Sequence, residues 1–140
     1  MTNTSATVSA DLGLSLVVPE HGAVPLVASL YYNAEDPYAI RMAFHVGTDE
    51  PVEWIFARDL LAVGIDGPAG EGDVQVWPGT ERGRDVLNIA LSSPFGEAHF
   101  EAPLEETAEF LKRTFEVICA GREGDHIDLD AELDELLWRA

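Results

Sequence analysis

Cysteine is nearly absent from this 140-residue chain: Cys119 is the only one, which excludes an intramolecular disulfide and a thiolate-rich zinc site built within one chain. Basic residues are scarce as well. Eight Lys plus Arg stand against 26 Asp plus Glu, giving a formal net charge of −18 and a sequence pI of about 4.2. Such a field repels phosphate backbones and anionic membrane surfaces. Long apolar runs are missing too: no segment approaches the roughly 18 residues of a membrane span. Met1 to Ala10 has neither the basic residue nor the apolar block of a secretory signal. These lacks point to a soluble protein of the reducing cytoplasm. What is present is 46% hydrophobic residues, enough for one domain over residues 1–140 to bury a core without staples.

Val8, Ala10, Leu12, Leu14, Leu16 and Val18 alternate with polar or small neighbours, the period of a half-buried strand. Pro19 to Gly22 punctuates it, and the β-branched and aromatic run Val24 to Tyr32 completes a hairpin before a turn at Asn33 to Pro37. Ile40, Met42, Phe44 and Val46 mark a third strand, and Val52 to Phe56 a fourth. Arg58 to Val63 reads as a helical turn or two stopped by Gly64. Asp73 to Trp77 predicts a short strand ended by Pro78-Gly79, and Arg82 and Arg84 fall in the next turn. Leu87, Ile89 and Leu91, then Ala98 and Phe100, predict two further strands.

The period then changes. Leu104, Ala108, Leu111, Phe115 and Ile118 recur at helical spacing, predicting a helix over Pro103 to Ala120 with Gly121 as its stop. From Ile127, Leu129, Leu133, Leu136 and Leu137 form the apolar stripe of a second, acidic amphipathic segment. The expected fold class is α+β: a twisted, mostly antiparallel sheet of about seven strands followed by two C-terminal helices.

Chemistry-bearing patterns are sparse. His21, His45, His99 and His126 form no close His-x-x-x-His pair. Asp125, Asp128 and Asp130 lack the alternation, glycine and terminal Glu of a calcium loop. Ser92-Ser93 sits in no nucleophile elbow, and Gly64 to Gly72 precedes a strand where a phosphate cradle precedes a helix. No catalytic residue, metal ligand or cofactor site is expected, and a small hydrolase would need a pocket that the sequence does not place. Cys119 is expected in the core of the long helix. Tyr31, Tyr32, Tyr38 and Trp77 offer a stacking platform only if a basic groove accompanies them.

Surfaces remain. Phe110 and Val117 lie beside the main helical stripe and either widen its core face or meet another subunit. Trp138 either anchors the last helix or meets a partner. The physics thus reaches an acidic α+β domain that works through binding.

Tyr32-Asn33-Ala34-Glu35-Asp36-Pro37-Tyr38-Ala39, Val52-Glu53-Trp54-Ile55-Phe56-Ala57-Arg58-Asp59-Leu60-Leu61 and Gly72-Asp73-Val74-Gln75-Val76-Trp77-Pro78 are far more specific than any short catalytic pattern. Leu91-Ser92-Ser93-Pro94 and Glu97-Ala98 extend them. Through most of its length the chain resembles the SsgA-like sporulation and cell division proteins of actinomycetes. The resemblance implies a cytoplasmic, non-enzymatic factor at the division septum that marks the sporulation septum site and recruits the tubulin-like FtsZ, working with its relative SsgA. It also implies a Whirly-like fold, a homotrimer, and a membrane-protein partner in place of direct membrane insertion. The rival reading is a nucleic-acid-binding regulator, since Whirly-type proteins bind nucleic acid, but fold likeness does not transfer function.

FtsZ is itself acidic, so contact with it calls for apolar surface near the helices or for the few cations Arg41, Arg58, Arg82 and Arg84, and salt should assist encounter. The charge separates the two readings directly. Labelled single- and double-stranded DNA at low salt should run unshifted in a gel with this protein, whereas a retarded band that disappears with added salt would support the nucleic-acid reading.

Overall fold

Alternation of apolar and polar side chains builds the first meander of the fold. The structure, a computed structural model, describes residues 7–47, 50–70, 72–94 and 96–126. Strands β1 (Val8–Val18) and β2 (Gly22–Tyr32) pair antiparallel along their full lengths. β3 (Ala39–His45) and β4 (Val52–Ala57) follow in the same sense. A second meander contains β5 (Val74–Glu81), β6 (Arg84–Ser93) and β7 (Gly96–Pro103). It joins the first where Ser15 and Leu16 of β1 meet Glu101 and Phe100 of β7. One antiparallel sheet of seven strands results, in the order β4-β3-β2-β1-β7-β6-β5. Helix α1 (Arg58–Asp66) connects the two edge strands, α2 (Leu104–Val117) follows β7, and a 3₁₀ turn spans Glu123–His126. The expected α+β architecture is present. The segment from Ile127 onward, Trp138 included, lies outside the described residues.

The sheet curls around its own core. Phe44 of β3 stacks on Phe100 of β7 with ring centroids 4.4 Å apart, although β2 and β1 lie between those strands. Inside the curl are Leu12, Leu14, Leu30, Ile40, Met42, Leu87, Ile89 and Leu91, the inward halves of the alternating patterns. α2 lies against β1, β6 and β7. Its buried residues are Thr107, Phe110, Leu111 and Thr114, and Ile118 is buried just beyond its end. The face is therefore rotated from the expected stripe toward two threonines. Their hydroxyls are satisfied within the helix: Thr107 Oγ1 donates to the Pro103 carbonyl at 2.8 Å and Thr114 Oγ1 to that of Leu111 at 2.7 Å, so both residues bury without an unpaired donor.

Four local expectations are corrected. Gly64 does not stop α1, which runs on to Asp66; it lies within the helix, where a Cβ would overlap Cγ2 of Val76, so its role is close approach of α1 to β5. Pro78-Gly79 does not end β5, which continues to Glu81. Val76 directs its N–H outward to Ala69 at 2.9 Å, and Pro78, two residues on, has its missing donor on that same outer side of an edge strand, where the ladder loses nothing. α2 ends at Val117, three residues before the expected Ala120. Cys119, expected in the core, is exposed: the chain beyond α2 is extended at Ile118, which points inward, and its neighbour Cys119 points out.

Gly64→Ala should therefore destabilise the protein by about 1–3 kcal/mol through overpacking against Val76, measured as a shift in urea midpoint. Gly13→Ala, where a Cβ meets nothing within 4 Å, should be neutral or slightly stabilising. Equal effects of the two would contradict the close-approach role.

Candidate functional site

Two of the most specific segments, Tyr32 to Ala39 and Val52 to Leu61, meet at one buried guanidinium. Arg58 opens α1 and is only 1% exposed. Its backbone N–H donates to the Tyr38 carbonyl at 2.7 Å, tying the start of α1 to the turn after β2. Its Nη1 donates to the carbonyls of Thr114 and Ile118 at 3.1 and 2.8 Å, and its Nη2 to Glu123 Oε2 at 2.9 Å. The guanidinium carbon also lies over two rings, 4.9 Å from the Tyr32 centroid and 4.0 Å from that of Phe115. A cation removed from water needs this set of partners, two carbonyls, one carboxylate and two ring faces. Nε alone lacks an acceptor among the described residues.

The same contacts solve a problem of α2. That helix carries no basic residue in its last turn, so the negative end of its dipole and its orphan carbonyls have no local cation. Arg58 brings the charge from another element. Glu123 completes the node, its Oε1 accepting the Gly121 N–H at 2.8 Å. The Glu123 carboxyl is held below the usual carboxylate range, first by its own backbone N–H, then by Arg58. Tyr32 shows the opposite shift: burial pushes its phenol up, against the lowering effect of Arg58. Its hydroxyl donates to the Pro37 carbonyl at 3.0 Å.

The structure divides the residues expected at an interaction surface. Phe110, 1% exposed, belongs to the core, since the rotation of the buried face of α2 turns it inward. Arg58 is corrected from surface cation to internal anchor. Arg41 is half-buried, its guanidinium carbon 4.6 Å from the Tyr31 ring centroid. Arg82 and Arg84 are exposed around the turn between β5 and β6, where positive φ at Arg82 and Gly83 (+52° and +77°) makes a two-residue hairpin turn. A concavity of about 760 Å³ runs from that turn to β1, but Glu81, Asp85 and Glu101 line it together with the two arginines. Val117 is 40% exposed at the end of α2.

The cations thus form no groove among the described residues, and the aromatic platform is split. Tyr31 and Tyr32 point to opposite faces of β2, with Tyr32 in the core.

Two polar clusters on the outer face of the sheet escape the sequence reading because only strand register joins them. Ser29 Oγ donates to Asp11 Oδ1 at 2.7 Å and lies 2.9 Å from His45 Nε2. His99 Nε2 lies 2.8 Å from Asn88 Oδ1, beside the Trp77 ring. The first resembles a hydrolytic triad only in composition: the acid meets the serine and not the imidazole, so it does not orient a base. Pairing of Asp11 with Ser29 is visible in the register, but that register is long-range information. No cluster of three potential metal ligands occurs among the described residues. The geometry offers surfaces for contact and an internal clamp.

A family model described as Streptomyces sporulation and cell division protein, SsgA, matches residues 26–123. Sporulation-specific cell division protein SsgB of Thermobifida fusca is 55% identical over 137 residues, 98% of this chain and 99% of its own. A solved SsgA-like sporulation-specific cell division protein from Thermobifida fusca superposes with a TM-score of 0.84 at 55% identity, covering 96% of this chain and 98% of that one. A solved SsgB, described in connection with longitudinal cell division during sporulation of Streptomyces coelicolor, gives 0.85 at 48% identity, covering 91% and 100%.

Removing the clamp tests its weight. Arg58→Ala should cost about 3–5 kcal/mol in urea unfolding, because it strands Glu123 and two helix carbonyls; a loss near zero would contradict the anchor. Glu123→Gln isolates the titration. A carboxylate whose folded pKa is depressed stabilises above its unfolded value of about 4.3 and loses that contribution as pH falls through the folded value. The stability difference between wild type and Glu123→Gln should be constant near neutrality and shrink in acid, and a flat difference across the acid range would refute it.

Proposed function

The chain belongs to the SsgA family of sporulation and cell division proteins, and on that premise we propose that it marks the sporulation septum site and recruits FtsZ there, promoting its assembly. The observation that carries this reading is the full-length identity to SsgB proteins, which spans both segments that build the Arg58 node. In this reading the protein is a non-enzymatic homotrimer that acts beside SsgA at the septum. The Arg58 clamp fixes the end of α2 and the chain that follows it. Val117 at the exposed end of α2 is then one contact point and the Arg82–Arg84 turn another, with Trp138 a further candidate contact residue.

Physical chemistry restricts how such contacts work. With a net charge of −18, the protein repels any acidic partner at long range, so productive contact uses apolar surface or the local cations of the β5–β6 turn. No described helix is long and apolar enough to cross a membrane. Septal placement in this reading runs through a membrane-protein partner.

Sedimentation of the purified protein with polymerising FtsZ and GTP, beside an inert acidic control of similar charge, tests the proposal. Specific co-pelleting or increased filament mass, maintained or raised by salt and reduced by Val117→Asp, is the expected result. Absence of enrichment over the control at every salt concentration would overturn direct recruitment.

A further inference from the structure

The two ends of the sheet are finished differently. At one end, β5 is covered: Ala69 and Val76 exchange backbone hydrogen bonds of 2.8 and 2.9 Å, and Pro78 removes a further donor. At the other end lies β4, six residues long, with no proline, lysine or arginine. The bond from the Arg58 N–H to the Tyr38 carbonyl fixes the phase of its ladder. Pairs 40/56, 42/54 and 44/52 are the bonded ones, so the N–H and C=O groups of Glu53, Ile55 and Ala57 point away from β3. The side chains of those three residues are exposed, Ile55 by 65%. An apolar edge with aligned donors and acceptors is a template for another strand.

We propose that β4 pairs antiparallel with β4 of a second copy about a two-fold axis through Ile55. The strand is complementary to itself in that register. Ile55 meets the partner's Ile55, and Glu53 meets the partner's Ala57, so no carboxylate opposes another across the pair. On the opposite face half-buried Trp54 comes level with the partner's Phe56, whose ring is already packed in its own core. The three outward residues on each strand are the ones whose backbone groups β3 leaves unused. A heterologous peptide would have to supply this spacing of small, apolar and charged positions, whereas a second copy carries it already. Two such short strands bury less than the roughly 1,000 Å² of a stable interface, so the pairing is concentration-dependent, and the net charge makes salt strengthen it. A two-fold contact closes at two copies; on a larger oligomer it would link one assembly to the next, where multivalency raises its effective strength. The inference does not depend on contact with FtsZ.

Cross-linking in a Cys119→Ser background reads the register. Ile55→Cys places thiols at a bonded pair, with Cα atoms about 5.5 Å apart, within disulfide range. Glu53→Cys places them four residues out of register, about 13 Å apart. Under mild oxidation Ile55→Cys should give about ten-fold more reducible dimer than Glu53→Cys, while a mixture of Glu53→Cys and Ala57→Cys proteins should cross-link to each other. Sedimentation at high concentration should show Ile55→Lys shifted to lower mass than wild type at unchanged circular dichroism. Equal yields from the two single-cysteine variants, no dimer from Ile55→Cys, or an unaltered mass for Ile55→Lys would each overturn the proposal.

Discussion

A single buried cation holds this fold together at the point where its elements converge. Arg58 leaves the edge strand β4, begins α1, and reaches across to the end of α2 and to Glu123. A guanidinium suits this position because its planar fork serves two carbonyls and a carboxylate at once while its charge lies over the rings of Tyr32 and Phe115. Its side-chain hydrogen-bond partners come from sequence positions 56 to 65 residues away. The charge would be costly if any of them moved, so the node ties the position of α2 to the curl of the sheet.

The acidic composition shapes what the molecule does at its surface. Several of the few cations in the described chain are engaged: Arg58 is internal, Arg41 lies against Tyr31, and Arg113 Nη1 donates to the Ser9 carbonyl at 3.2 Å. Arg82 and Arg84 stand among Glu81, Asp85 and Glu101. Long-range attraction to an anionic ligand has no basis in such a distribution, and short-range apolar contact does. Apolar side chains left exposed include Val27, Ile55 and Val117, where short-range contact does not depend on charge.

Strand positions are largely legible in the sequence because each inward-facing set repeats every second residue. The inward phases of β1, β3 and β6 follow from Leu12 and Leu14, from Ile40 and Met42, and from Leu87, Ile89 and Leu91. Misreadings occur where a residue type has two physical uses. Gly64 and Pro78 carry the local signature of an end, yet one serves close packing and the other sits where its missing donor faces outward. Thr107 and Thr114 read as polar until their hydroxyls are seen bonded to helix carbonyls, and that rotation takes Phe110 inside.

By itself the sequence determined the α+β class, the strand phases, the strong negative charge, and a family likeness carried by segments such as Tyr32 to Ala39. These are local or additive properties, set by periodicity, composition and identity. Only the tertiary structure decided that Arg58 is an anchor, that Asp11, Ser29 and His45 share one face, and that β4 is one of the two edges of the sheet. Each of those depends on which strands become neighbours and how far the sheet curls, and that is settled by packing between residues distant in the chain.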